Sequence, residues 1–291
     1  MLASRKIRIS LALTQCWWLF SCAPSGSDLF PIRQGGKYGY ITKSGKIGIN
    51  PQFDNVGKFS EGLAPVKVGR GWGYIDTQGR LVINPQFDIA DPFSDGLALV
   101  GTGYRYGYID KTGKLVINPQ FEGAGHFSSG LAPVRSAGRW GYINKTGQLV
   151  INPQFEEGGD FSDGLAIVRV NGRYGYIDKS GALAIQPQFD GAGEFSDGLA
   201  LVAMAGKYGY IDKSGKLVIN PQFENAGEFN DGLALVSAGN RFGYIDKNGK
   251  FAINPQFDRA GDFEHGLAPV WVAGRQGYID KSGKFVWNPA A

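Results

Sequence analysis

The stretch Arg139–Gly147, RWGYINKTG, decides the fold because most of it recurs along the chain. Its Gly-Tyr-Ile triplet returns every 34 residues, with no insertion or deletion between copies. A fixed period of this size is typical of a repeat architecture, in which each unit buries its apolar face against its neighbours. The triplet begins at Gly39, Gly73, Gly107, Gly141, Gly175, Gly209, Gly243 and Gly277.

The repeat boundaries follow from a leucine that precedes each of these glycines by ten residues, from Leu29 to Leu267. Residues 1–22 are assigned to a leader and residues 23–28 to a short linker. Residues 29–291 then divide into eight predicted repeats, which are 29–62, 63–96, 97–130, 131–164, 165–198, 199–232, 233–266 and 267–291.

Each repeat is predicted to be all-β. Several glycines and a proline interrupt it, and its apolar stretches are short and rich in Val, Ile and Tyr, so helices of about 12 residues cannot form. The pattern predicts three strands joined as an antiparallel meander. The second and third strands are joined by turns such as Asp178–Gly181 and Asp212–Gly215, in which glycine adopts the left-handed conformation.

The segment after the third strand carries a recurring Asn-Pro-Gln-Phe motif. We expect proline, at Pro51 and Pro85 for example, to end the third strand because it cannot donate to a ladder. Two phenylalanines per repeat, such as Phe87 and Phe93, are expected to pack the following connection onto the next unit.

The predicted architecture is an open, twisted array of stacked three-stranded units. A β-propeller blade normally takes about 40–45 residues, so a 34-residue unit is short for one. A closed, propeller-like ring of eight units remains the alternative.

The repeats resemble the WG-repeat family of bacterial proteins, also called KWG repeats, whose signature is an aromatic-Gly step followed by a strand and Asp-x-x-Gly. The family's aromatic residue is replaced by Gln276 before Gly277. The resemblance implies a repeat class with no shared catalytic residues. The signature residues are Tyr38-Gly39, Trp72-Gly73, Tyr106-Gly107, Trp140-Gly141, Tyr174-Gly175, Tyr208-Gly209 and Phe242-Gly243.

The leader has the layout of a secretory signal: basic Arg5, Lys6 and Arg8, then an apolar stretch over residues 9–20. Leu19–Cys22 resembles a bacterial lipobox, which implies lipidation of Cys22 and a lipid-anchored protein of the bacterial cell envelope. Ordinary cleavage after Ala23, giving a secreted or periplasmic protein, is the alternative. Beyond Cys22 the chain has no cysteine, which excludes disulfides and cysteine-based metal sites there.

The net charge of +4 includes the three basic residues of the leader. Without them, 27 basic and 26 acidic residues remain, and a nearly neutral body has no electrostatic footprint for nucleic acid. We therefore expect no nucleic-acid partner.

No catalytic or cofactor motif is found in the sequence, and no metal site is expected. His126 and His265 occupy different repeat positions and are interpreted as lone surface histidines. An acidic column could stack carboxylates for calcium, but opposite charges recurring once per repeat favour ion pairs between repeats. The acidic column is Asp54, Asp88, Glu122, Glu156, Asp190, Glu224 and Asp258; the basic column is Lys37, Arg105, Arg139, Arg173, Lys207, Arg241 and Arg275.

Function is expected where the copies differ. Tyr104 and Trp271 are aromatic residues that break the repeat and are candidate binding residues, whereas Trp287 is expected to cap the end of the array. The sequence thus predicts a non-enzymatic binding or scaffolding surface for a protein or glycan partner. A structural spacer is the alternative, and an enzyme with an unrecognised site is a third hypothesis.

Overall fold

The computed structural model describes residues 29–42, 46–263 and 266–287, so the predicted leader and linker, Cys22 and His265 lie outside the described residues. Within these ranges every regular element is a β-strand, which confirms the all-β prediction. No described helix is long and apolar enough to cross a membrane. The described residues form two compact units, here called the N-terminal unit, ending at Asp160, and the C-terminal unit, beginning at Phe161.

The N-terminal unit contains four antiparallel sheets, each in chain order. Their strands are β1 (Leu29–Gln34), β2 (Lys37–Thr42) and β3 (Ile47–Phe53); β4 (Asn55–Val56), β5 (Leu63–Val68), β6 (Gly71–Asp76) and β7 (Leu81–Phe87); β8 (Ile89–Ala90), β9 (Ala98–Thr102), β10 (Arg105–Ile109) and β11 (Leu115–Phe121); β12 (Gly123–Ala124), β13 (Leu131–Ser136), β14 (Arg139–Asn144) and β15 (Leu149–Phe155).

The remaining four sheets follow the same order, and the boundary between the units falls within the first strand of this set. Their strands are β16 (Glu157–Ser162), β17 (Leu165–Val170), β18 (Arg173–Ile177) and β19 (Leu183–Phe189); β20 (Gly191–Ser196), β21 (Leu199–Met204), β22 (Lys207–Asp212) and β23 (Leu217–Phe223); β24 (Ala226–Asn230), β25 (Leu233–Ala238), β26 (Arg241–Ile245) and β27 (Phe251–Phe257); β28 (Arg259–Ala260), β29 (Leu267–Val272), β30 (Arg275–Asp280) and β31 (Phe285–Trp287).

The three predicted strands are present in every sheet, but seven of the eight described sheets have a fourth strand. This extra strand comes from the connection that follows Asn-Pro-Gln-Phe, and it pairs with the first predicted strand of the next repeat, as β4 does with β5. The prediction of three strands per unit was therefore one strand short. The additional strand is two residues long in four sheets, β4, β8, β12 and β28, and five or six residues long in β16, β20 and β24. Each four-stranded sheet draws on two predicted repeats.

The third predicted strand does not end at proline. In β3 it runs through Pro51 to Phe53, and the pairing with β2 shifts between Tyr38↔Phe53 and Tyr40↔Ile49. Proline is tolerated because this irregularity at a sheet edge needs no donor there. The bulged backbone lies over the signature glycine: a Cβ on Gly39 would be 2.6 Å from the Pro51 nitrogen. Glycine is thus required by close backbone approach.

The tight turns that join the last two strands follow the prediction. In Asp178–Gly181 the Asp178 carboxylate accepts bonds from the Ser180 and Ala182 amides at 2.8 and 3.1 Å, and Gly181 has φ 86°. The pKa of Asp178 is lowered, most strongly by a hydrogen bond from the Ser180 hydroxyl and further by these backbone amides. The turn residues therefore stabilise the hairpin locally.

The core lies between successive sheets of a unit. Tyr74 of β6 and Phe87 of β7 cluster with Phe93, Val100 and Ile109, which belong to the next sheet or to the connection that enters it. The Tyr74 hydroxyl donates to the Asp91 carbonyl at 2.9 Å, and its ring is 5.1 Å from that of Phe93. The predicted stapling by phenylalanine is confirmed. Stacking of successive repeats is present within each unit, and the open array stays a prediction for the whole chain.

The aromatic residues before the signature glycines are packing residues, as predicted. Trp72, Tyr106, Tyr208 and Phe242 are partly buried and lie against these inter-sheet clusters. The opening stretch RWGYINKTG therefore forms β14 and the turn that follows it, within the fourth sheet.

Candidate functional site

A two-residue turn joins the two strands before the Asp-x-x-Gly turn in every sheet; we call these turns the hairpin tips. In seven of these eight described tips both residues have positive φ, as in a type I′ turn, which favours Gly and Asn. The tips are Gly35–Gly36, Gly69–Arg70, Gly103–Tyr104, Ala137–Gly138, Asn171–Gly172, Ala205–Gly206, Gly239–Asn240 and Ala273–Gly274.

Tyr104, a predicted binding residue, occupies the second position of its hairpin tip. It is 98% exposed, and its φ is 64°. The left-handed conformation costs a bulky residue about 1 kcal/mol, and an exposed ring gains no burial energy in return. Glycine or asparagine fills this position in six other tips. Tyrosine is therefore unfavourable for folding here, which indicates a role outside the fold.

Trp271, the other predicted binding residue, lies in β29 of the C-terminal unit and is half-buried. Its backbone stands opposite Gln276 in β30 and Arg259 in β28. It is thus a residue of an inner strand, with less exposed surface than Tyr104. Trp287 is the last residue of β31.

The acidic and basic columns form ion pairs, but the pairs lie within a predicted repeat and not, as had been expected, between repeats. Lys37 Nζ is 2.5 Å from Asp54 Oδ1, and Arg173–Asp190, Lys207–Glu224 and Arg241–Asp258 repeat the pair. Both partners belong to one predicted repeat, but the carboxylate also reaches the next sheet: Asp54 Oδ2 accepts from the Gly69 amide of the next hairpin tip at 2.7 Å. Lys37 and this amide lower the pKa of Asp54. The column therefore ties successive sheets together.

In the N-terminal unit, two arginines of the basic column depart from this scheme. Arg105 donates to the Gln120 carbonyl at 3.3 Å, while Glu122 accepts from the Gly138 amide at 3.0 Å. Among the described residues, neither Arg105 nor Arg139 forms an ion pair. Both arginines are exposed beside hairpin tips of the N-terminal unit.

A second acidic column, missed from the sequence, lies just before the last glycine of five predicted repeats, at Glu61, Asp95, Asp163, Asp197 and Asp231. Glu61 accepts from the Gly96 amide at 3.1 Å and lies 3.1 Å from Lys111. Asp95 repeats the arrangement with Gly130 and Lys145, at 2.6 and 2.8 Å. The sequence signal for this column was the recurring acidic residue before glycine. Its role was missed because both partners of each carboxylate lie in later repeats. These carboxylates also stabilise contacts between sheets.

A third column precedes the recurring phenylalanine near the first strand of each later sheet; we call it the first-strand column. Its members are Lys58, Pro92, His126, Asp160, Glu194, Glu228 and Asp262. The interpretation of His126 as a lone surface histidine was wrong. The half-buried ring has Nδ1 3.2 Å from Asp160 and Nε2 3.5 Å from Asp91. These hydrogen bonds, chiefly that with Asp160, raise the pKa of His126 to about 10.

In the C-terminal unit the same column is acidic. Glu228 Oε1 accepts from the Glu194 amide at 3.2 Å, so the carboxylate again reaches back by one repeat. Partial burial, and then the charge of Asp262, raise the pKa of Glu228. Desolvation also raises the pKa of Asp262. Within the described residues, no group of three or more His, Cys, Asp or Glu side chains is arranged to hold a metal ion.

These features define a tandem-repeat β-protein whose sheets are joined by recurring carboxylates. The chain belongs to the family of WG containing repeats, whose model matches residues 38–70, 72–105, 106–140, 140–174, 174–208, 208–241 and 242–270. The resemblance seen in the sequence is thus confirmed. A comparison with curated proteins gives no match.

The solved structures with a similar fold include two that match over most of this chain. One, a eukaryotic initiation factor, has a TM-score of 0.63 and 12% identity, over 91% of this chain and 85% of that chain. The other, the dihydro-heme d1 dehydrogenase NirN in complex with DHE, has a TM-score of 0.55 and 14% identity, over 92% of this chain and 75% of that chain. At these identities the likeness concerns the fold alone.

Proposed function

We propose that this chain is a non-enzymatic binding or scaffolding protein of the bacterial cell envelope, held there by a lipid at Cys22. Its surface captures a protein or glycan partner. The secreted or periplasmic form, cut after Ala23, is the alternative localisation.

The observation that carries the proposal is the exposure of Tyr104. Its ring is almost wholly in solvent on a backbone that favours glycine or asparagine. An aromatic ring gains free energy only when its apolar faces are covered. A residue that opposes the fold and leaves an uncovered ring fits a contact with a partner.

The recurring charged groups support a non-enzymatic role. His126 is hydrogen-bonded to Asp160, and the acidic columns hold backbone amides of neighbouring hairpins. Groups engaged in this way act as structural partners rather than as free acids or bases. The variable residues at the hairpin tips are then the part of the surface that selects a partner.

The test is capture from a bacterial envelope extract by the immobilised full-length chain. We expect a saturable component whose retention falls when Tyr104 is changed to Asn, and to a smaller extent when Trp271 is changed to Ala. Arg241→Gln, at the ion-paired position of another sheet, is the matched control. Equal capture by all four proteins would contradict the proposal.

A spacer is the second candidate, favoured by the same inter-sheet bonds in successive repeats, such as those of Glu61 and Asp95. A spacer needs length rather than particular side chains. Removing residues 199–232 would then leave function intact apart from reach, whereas Tyr104→Asn would have no effect.

The anchor is tested separately. We expect the full-length chain to partition with bacterial membranes and the Cys22→Ser variant to lose this partitioning, since a lipidated cysteine carries more than one acyl chain. Unchanged partitioning of the variant would contradict the lipid anchor and leave the binding proposal standing.

A further inference from the structure

Three adjoining hairpin tips of the N-terminal unit carry an unusual set of side chains. The tips join β5 to β6, β9 to β10 and β13 to β14. Exposed arginines lie in these tips or in the strands beside them, together with Tyr104, and we call the set the arginine–tyrosine surface. Its members are Arg70, Tyr104, Arg105, Arg135 and Arg139.

Two carboxylates connect these tips. Trp72, close to the first tip, pairs with Phe87, and the next residue, Asp88, accepts from the Gly103 amide of the second tip at 2.9 Å. Arg105, beside the second tip, donates to the Gln120 carbonyl, and Glu122 accepts from the Gly138 amide of the third tip. The five side chains therefore lie on neighbouring hairpins rather than scattered over the unit.

The surface has an excess of positive charge. Asp54, at the first tip, is paired with Lys37. The four arginines share the three tips with three further carboxylates of the acidic column, Asp88, Glu122 and Glu156, of which Asp88 and Glu122 are bonded to backbone amides. Among the described residues, no ion pair engages any of the four arginines. At the equivalent place in the C-terminal unit, Arg241 is paired with Asp258.

We propose that the arginine–tyrosine surface binds a carboxylated polysaccharide. This inference rests on the proposed function, a binding surface of the cell envelope, and names the chemistry of its partner. A guanidinium group forms two parallel hydrogen bonds with a carboxylate, and Lys cannot reproduce this geometry. The exposed Tyr104 ring offers a flat apolar face for the CH groups of a sugar ring.

A chain of sugar acids matches the surface better than a single anion does. Each exposed arginine–carboxylate pair contributes little alone, because solvent and salt screen it. Several pairs formed along one polymer add through effective concentration. We therefore expect useful affinity only for oligomers, with a marked dependence on ionic strength.

The surface suits sugar acids better than single-stranded nucleic acid. Nucleic acid is bound by several aromatic platforms on which successive bases stack. Here Tyr104 is the exposed ring, while Trp72, Tyr106 and Trp140 are partly buried against the sheets. One ring among four arginines fits a ligand whose charge lies on the sugar units.

The experiment is titration of the full-length chain with polygalacturonate oligomers, neutral dextran and a thymidine oligonucleotide, at low and physiological salt. We expect saturable binding of polygalacturonate that weakens with salt, and no binding of dextran. Tyr104→Asn and Arg139→Gln should each weaken binding about tenfold, the loss typical of one charged or stacking contact. Arg241→Gln is the matched control and should bind like the wild type.

Thermal unfolding accompanies each titration. Tyr104→Asn should keep or raise the melting temperature, because asparagine accepts the left-handed backbone, so weaker binding cannot be attributed to misfolding. Failure to bind polygalacturonate, equal binding of dextran, or tighter binding of the oligonucleotide would overturn the inference. If extract capture still depended on Tyr104 in that case, the proposed function would stand and only the partner class would be wrong.

Discussion

The first-strand column places ionisable side chains at the same repeat position in both units, yet their electrostatics differ. In the N-terminal unit the imidazole of His126 lies between the carboxylates of Asp91 and Asp160. In the C-terminal unit Glu228 reaches the Glu194 amide with the like charge of Asp262 nearby, and its pKa is raised. In both units the side chain at this repeat position contacts the residue one repeat earlier. The residue type then decides whether its charge stabilises or destabilises the fold.

The two units differ most in how closely atoms pack around the glycine next to each of these carboxylates. A Cβ on Gly125 would lie 2.7 Å from Pro133 Cγ and closer still to Asp160 Oδ1. On Gly227 it would lie 3.0 Å from Asp262 Oδ1 and 3.6 Å from Leu235 Cβ. Gly125→Ala should therefore lower the free energy of unfolding by about 2 kcal/mol, as overpacking does, and Gly227→Ala by much less. Urea unfolding of both variants measures the difference; equal losses would contradict it.

Removal of the protonated His126 side chain should give the next largest change in the free energy of unfolding. Its pKa is raised from the ordinary 6.5 to about 10 in the folded chain, so the folded state binds the proton more tightly. The stabilisation is complete below pH 6.5 and is lost as the pH rises through about 10. His126→Gln should cost about 1 kcal/mol at neutral pH, since screening reduces the gain of a half-exposed group.

Unfolding of the wild type and His126→Gln between pH 6 and pH 10.5 tests this window. The gap between the two proteins should narrow as the pH rises. Gln148, an exposed neutral residue of the same unit, provides a control through Gln148→Ala, whose small effect should not vary with pH. A gap for His126→Gln that stays constant would show that the ring acts through packing alone.

The periodic features of the fold could be predicted from the sequence because their causes are local. The Asp-x-x-Gly turns, the all-β character and the packing role of residues such as Trp72 and Tyr106 follow from composition and from spacing within one repeat. The fourth strand could not be predicted in this way. Asn55–Val56 has no strand pattern of its own and pairs only because β5 presents a free edge.

The candidate site was predictable only in part. Tyr104 could be found because it breaks the repeat, and its exposure follows from its place in a turn. The surroundings of His126 could not, because Asp91 and Asp160 lie 35 and 34 residues away along the chain. Contacts at about one repeat length are formed by stacking, and a residue judged within its own repeat has no visible partner. Comparing each column with its neighbours one period away would have shown that an acidic residue, Asp160, takes the position of His126 in the next repeat.

The smallest expected change in stability concerns Glu228. At neutral pH, substitution of this residue should stabilise the fold, whereas substitution of His126 should destabilise it. The pKa of Glu228 is raised above the ordinary 4.5, so the charged form is disfavoured in the folded state, and stability rises as the pH falls through the folded pKa. Glu228→Gln keeps an acceptor for the Glu194 amide and removes the charge next to Asp262. The melting temperature at pH 7 should therefore rise by about 1–2 °C. The advantage should shrink as the pH falls through the raised folded pKa, because wild-type Glu228 is then itself protonated. A variant that melts lower than the wild type at pH 7 would show that the carboxylate stabilises this column as the His126 group does its own.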